Sequence, residues 1–147
     1  MKTLFALLLL SIVVPVQAGE IKDISQFSLK QYEGKVVYLD FWASWCKPCQ
    51  KSFPWMNQLQ QKYPADRFQV VTINLDQKAE DMQRFLEQVQ ADFIIYQDPA
   101  GTLAEQFKLP GMPTSYLIDK TGKAVSKHVG FYSEKAGALE AEIEALL

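Results

Sequence analysis

Metal-binding side chains are scarce in this chain of 147 residues: it has two cysteines and one histidine. With that inventory a tetrahedral zinc site, which takes four ligands, cannot close unless carboxylates complete it. Charge of one sign is also lacking. Fifteen lysines and arginines face 17 acids, a formal net charge of −2. That balance offers no basic face for nucleic acid and no polybasic patch for a membrane surface. There is no internal repeat, no low-complexity tract and no linker, so nothing divides the chain into separate units. Long apolar runs are missing too. The longest, Leu4 to Val14, is about 11 residues against the roughly 20 that span a bilayer.

What that short run does fit is an export signal. Lys2 precedes it, and "VQA" follows, with small side chains at Val16 and Ala18 in the −3 and −1 places. The expected division is a signal peptide at residues 1–18, cleaved after Ala18, and one domain at 19–147. Retention as a short anchor is the alternative. No cysteine follows the cleavage point, so no lipid anchor is expected there. Export implies the periplasm, a compartment that permits disulfides.

Both cysteines fall in "WASWCKPCQKSFP", residues 42–54. Three uses are open to a pair so spaced: a structural staple, half of a metal site, or a redox couple. A staple gains most when it closes a long loop, and this loop is minimal.

Periodicity outlines the surroundings. "KVVYLDFW", 35–42, is apolar apart from Asp40 and reads as a buried central strand. After it, Cys49, Phe53, Met56, Leu59 and Tyr63 recur at helical steps, with Pro54 expected to kink that helix. "RFQVVTINLD", 67–76, is a second strand, "AEDMQRFLEQVQ", 79–90, a helix, and "FIIY", 93–96, a short strand. "DPAG" marks a turn, "TLAEQFKL" a short helix, and "GMPTSYLID" a bend into a strand. "KTG", 120–122, turns a hairpin into "KAVSKHVGF". A final helix carries Leu139, Ile143 and Leu146 on one face, with Ser133 as its expected N-cap. The fold class is therefore α/β, with a central mixed β-sheet covered by helices on both faces.

"DFWASWCKPC" followed by Pro54, with "GMPTSYLID" some 60 residues on, resembles the thioredoxin superfamily. The helix and strand at about residues 79–96 are extra relative to a minimal thioredoxin. With "DPAG" and the exported start, they make the chain similar to TlpA/ResA-like thiol-disulfide oxidoreductases from about residue 24 onward. The resemblance implies a thioredoxin-like fold, a redox-active Cys46–Cys49 disulfide and no cofactor. It implies protein disulfides as substrates, a membrane thiol-disulfide electron donor as partner, and a reducing role such as preparing apocytochrome c or a copper-centre protein. A monomer is expected.

Such chemistry needs one reactive sulfur and one resolving sulfur. Cys46 at a helix N-terminus would have its thiolate stabilised by free N–H groups and the dipole. Cys49, one turn on, would resolve the mixed disulfide. Pro48 suits the first turn, and Lys47 adds a positive charge or is simply solvated. Trp45 precedes the nucleophile and, by the resemblance, borders the substrate surface. Trp42 is either core or part of that surface. Asp40, six residues before Cys46, matches the buried acid of thioredoxin, so a raised pKa and a proton-relay role toward Cys49 are expected. Relatives of the TlpA/ResA type often have glutamate three residues after the second cysteine, and this chain has Ser52. Pro113 matches the family's cis-proline. Beside it Met112 would offer its backbone to an extended substrate and a soft side chain to varied ones.

The alternatives are a disulfide oxidase or isomerase, a Cu(I)-handling chaperone using the same two thiolates, a thiol peroxidase, and a purely structural disulfide. A peroxidase needs a nearby arginine, and Arg67 and Arg84 lie outside the motif. His128 reads as a surface or half-buried residue.

Overall fold

The computed structural model describes residues 19–147, so the proposed signal at 1–18 lies outside the described residues. Six strands form one sheet: β1 (Ile21–Asp23), β2 (Val36–Trp42), β3 (Phe68–Asn74), β4 (Ile94–Gln97), β5 (Thr114–Ile118) and β6 (Ala124–Val129). Four α-helices accompany them: α1 (Lys47–Lys62), α2 (Ala79–Leu86), α3 (Thr102–Gln106) and α4 (Ala136–Leu146). The order across the sheet is β1-β4-β3-β2-β5-β6. The first four in that order run parallel, while β5 is antiparallel to β2 and β6 to β5. This is the mixed sheet that the alternation of strands and helices implied, and the thioredoxin-like arrangement that the resemblance implied.

β2 sits between β3 and β5, and every one of its residues is buried. Period-two alternation sends its side chains into two separate cores. Val36, Tyr38 and Trp42 join Cys49, Phe53, Met56 and Leu59 of α1, Met82 and Phe85 of α2, and Leu139 and Ile143 of α4. Val37, Leu39 and Phe41 join Tyr32, Leu103 and Tyr116 on the other face. Trp42 is therefore a core residue. It packs edge-on to Phe53 at 4.8 Å, and its indole N–H donates to the Thr72 hydroxyl at 3.1 Å.

Three details differ from the sequence reading. β1 and the 3-10 turns at Ile24–Gln26 and Leu29–Tyr32 had no periodic signal. α2 ends at Leu86 rather than residue 90. Asn57 of α1 bonds the Gln90 carbonyl and the Asp92 amide, both at 2.9 Å, and draws the chain off the helical path toward β4. Ser133 does not cap α4. A 3-10 turn at Ser133–Lys135 comes first, and α4 starts at Ala136 without a side-chain cap. Pro54 lies inside α1, which continues through it as one helix.

Phe53 touches Trp42, Phe85 and Phe93 with ring centroids 4.8–5.2 Å apart. Phe53→Ala should cost about 3–5 kcal/mol of unfolding free energy, read from the urea midpoint at constant m-value.

Candidate redox site

β2 ends at Trp42 and α1 begins at Lys47, so the chain turns within four residues. The Cys46 amide donates to the Ala43 carbonyl at 3.1 Å, which closes the turn. Cys46 is the N-cap of α1, with extended backbone angles (φ −86°, ψ 99°). Its Sγ accepts the Cys49 amide at 3.4 Å, taking one of the donors a helix start leaves free. Pro48 sits in the first turn, where its missing N–H costs no helical bond.

Cys46 and Cys49 form a disulfide, with Cα atoms 5.3 Å apart. Cys49 is fully buried and Cys46 retains 5 % exposure. Cys46 is thus the more accessible of the two residues, by a narrow margin. Lys47 is exposed beside it.

Trp45 is the conspicuous surface residue here, 69 % exposed. It lines a groove of about 600 Å³ together with Leu75, Leu109, Pro110 and Met112. Lys108 supplies the left-handed turn (φ 49°) after α3 that leads the chain into Leu109 and Pro110. The Met112–Pro113 peptide is cis. Pro113 is buried and directly precedes Thr114, which pairs with Phe41, so it lies at the same end of β2 as the cysteine turn. Met112 packs against the core cluster that holds both cysteines. Among the described residues, the N–H and carbonyl of Met112 have no hydrogen-bond partner, which leaves that edge available.

Asp40 is 1 % exposed. By strand alternation it shares the face of Tyr38 and Trp42, the face covered by α1 and Cys49. Its register neighbours are Thr72 on β3 and Ser115 on β5, both neutral. Oδ2 has no hydrogen-bond partner, and no cation pairs with this carboxyl among the described residues. Desolvation therefore pushes the Asp40 pKa well above the ordinary carboxylate range. Ser52 is buried, but its hydroxyl is spent on the Cys49 carbonyl at 2.8 Å, so it does not stand in for a glutamate.

The loop after β6 completes the site and gave no signal in the sequence beyond its aromatics. The Gly130 amide donates to the Pro113 carbonyl at 2.8 Å. Gly130 has φ 79°, which a side chain would resist. Phe131 then packs on Trp55 of α1, and Tyr132 is exposed. Elsewhere, Arg67 bonds the Leu147 carbonyl and Arg84 pairs with Asp81, so neither serves the cysteines. His128 bridges β6 to Glu142 of α4 at 3.0 Å. Among the described residues, no three of His, Cys, Asp and Glu converge as a metal site.

The AhpC/TSA family pattern matches residues 14–127, most of the chain. The chain belongs to the AhpC/TSA family. Within it, the likeness is to TlpA/ResA-like thiol-disulfide oxidoreductases. A crystal structure from Chlorobium tepidum, described as a candidate thiol:disulfide interchange protein DsbE, is 47% identical with TM-score 0.80. The match covers 88% of this chain and 97% of that one. The thiol-disulfide oxidoreductase ResA of Bacillus thuringiensis subsp. konkukian (strain 97-27) is 34% identical over 105 residues. That match takes in 71% of this chain and 61% of the relative, so this chain spans about three fifths of the ResA length. StoA from Bacillus subtilis is 28% identical with TM-score 0.62, over 74% of this chain and 82% of that one.

Asp40 links the site to stability. Its raised pKa means that the folded protein holds a proton the unfolded chain has lost. The stability this group contributes is complete below the ordinary carboxylate pKa and is lost as pH rises through the folded value. Asp40→Asn should therefore be more stable than the parent at pH 8, with the gap closing toward pH 4. Urea midpoints across that range check the sign.

Proposed function

We propose that this AhpC/TSA-family chain is an exported thiol-disulfide oxidoreductase that reduces disulfides in other exported proteins. One observation carries the reading: a disulfide between residues 46 and 49 whose outer cysteine caps α1, beside a groove lined by the exposed Trp45. A staple would not need a helix N-terminus, and a copper site would not need the groove.

In the reduced protein the Cys46 thiolate attacks one sulfur of a substrate disulfide. The substrate S–S bond breaks, and the departing thiolate takes a proton. Asp40, once it has given up its own proton to solvent, accepts the Cys49 proton, and the Cys49 thiolate then attacks Cys46 Sγ. The second substrate sulfur leaves as a thiolate and is protonated in turn. Two electrons and two protons pass to the substrate, and the Cys46–Cys49 disulfide remains. Asp40 suits the acceptor's part because it lies under α1 without a cation and with a raised pKa. Substrate backbone pairs with the free edge at Met112, and apolar side chains enter the groove under Trp45. Lys47 assists the thiolate and Pro48 fixes the first turn.

The composition of residues 1–18 supports export to the periplasm. A reductant in that oxidising compartment must be recharged, and a membrane thiol-disulfide donor fits that need. Cytochrome c maturation is one process that consumes such reduction.

Cys49→Ser should trap a mixed disulfide through Cys46 with a protein disulfide. Cys46→Ser should trap none and lose at least about a thousandfold in turnover. Non-reducing gels and a turnover assay check both. A redox titration followed by Trp45 fluorescence fixes the direction. A potential near about −270 mV supports the reductant, one near about −120 mV would make it an oxidase, and absence of any trapped adduct would defeat both.

A further inference from the structure

Ser44, two residues ahead of Cys46, is held from both sides. Its amide reaches the two carboxylate oxygens of Asp76 at 3.2 and 3.0 Å, and its hydroxyl donates to Oδ1 at 2.8 Å. Its carbonyl accepts from the Gln50 side chain of α1 at 3.2 Å. Asn74 completes the arrangement by donating from Nδ2 to Asp76 Oδ2 at 2.7 Å and accepting the Asp76 amide at 3.1 Å. Asp76 is 2 % exposed and makes no ion pair among the described residues. A buried carboxylate is costly to keep, and here three donors converge to offset that cost. No step of the exchange uses it.

Its place in the fold shows what it does. Asp76 lies just beyond β3. The preceding residue, Leu75, lines the groove with Trp45, and its amide bonds the Trp42 carbonyl at 2.9 Å. The loop that grips Ser44 thus also forms a wall of the groove. Ser44 lies inside the turn closed by the Cys46 amide on the Ala43 carbonyl. Fixing Ser44 therefore restricts the backbone angles from which Cys46 caps α1.

We infer that Asp76 is a positioning residue: by gripping Ser44 it holds the Ala43–Cys46 turn in the form that aims Cys46 Sγ at the Cys49 amide. The inference rests on the thiol-disulfide reading of the same site. A competing role has the opposite sign. A carboxylate so near would, through its charge alone, disfavour a thiolate at Cys46, so removing it would ease ionisation. Positioning predicts that removing it makes ionisation harder, because the thiolate loses its amide donor.

The test is the pH profile of Cys46 alkylation in the reduced full-length protein, alongside melting temperatures. Lys47 and Asp40 are the other charged or titratable neighbours in the argument, and they stay unchanged in every variant. Asp76→Ala should alkylate about fivefold more slowly below the midpoint, the size of a lost helix cap, with the midpoint moved up. Asp76→Asn keeps the shape and an acceptor for Ser44, and should stay near the parent. Ser44→Ala, which leaves Asp76 the Ser44 amide and Asn74 as partners, should also be slower. Faster alkylation in Asp76→Ala and Asp76→Asn would overturn the inference in favour of charge. Unchanged profiles in Asp76→Ala and Ser44→Ala, with only a lower melting temperature, would overturn it in favour of a structural role. A parent protein with no lowered midpoint would instead remove the thiol-disulfide reading itself.

Discussion

Cys46 is the last residue before α1 turns helical, and its sulfur, not a serine or aspartate oxygen, receives the amide at the helix start. That placement decides the rest. Helix starts leave amides unpaired, and an anion there is stabilised by the amides and by the aligned peptide dipoles. The three-residue spacing then puts Cys49 one turn deeper, on the buried side of the same helix. One backbone feature therefore places one sulfur at the helix start and shelters its partner beneath it.

The sheet supplies what the helix cannot. β2 is buried along its whole length because β3 and β5 flank it and helices cover its faces. A carboxyl placed in such a strand has no water to ionise into, and Asp40 occupies that position on the face beneath α1. The carboxyl is kept without a compensating cation, which costs stability and suits the proton transfer proposed above. Around the mouth, three loops meet: the turn before α1, the Met112–Pro113 segment and the segment after β6. The Gly130–Pro113 hydrogen bond joins the last two. Exposed Trp45 and Tyr132 belong to this end of the molecule, an apolar surface that suits the recognition proposed above.

Much of this was legible in the chain because it is local. The unbroken apolar run of β2, the helical recurrence from Cys49 to Leu59 and the hairpin at "KTG" each declare themselves within a few residues. Asp40 stood out because one acid interrupted eight residues of strand, and its burial follows from its strand. What stayed hidden depends on partners distant in sequence. β1 is three residues that become a strand only by pairing with β4. The path of the chain from α2 to β4 is held by Asn57, more than thirty positions away. The start of α4 is postponed by a 3-10 turn that composition does not distinguish from helix. Gly130 falls inside the strand read at "KAVSKHVGF" until it is found past the end of β6, against Pro113. The near-complete burial of Cys46 was likewise hidden, because the motif fixes its place on the helix but not the neighbours that close over it.

The central claim is that the outer sulfur is an anion at working pH and the inner one is not. It is tested most directly by titrating the reduced protein and following thiolate absorbance in the ultraviolet, with Cys46→Ser and Cys49→Ser to assign each step. The account predicts one midpoint well below the ordinary thiol value of about 8.5, belonging to Cys46, and a second above it, belonging to Cys49. Two overlapping midpoints near about 8.5 would contradict it.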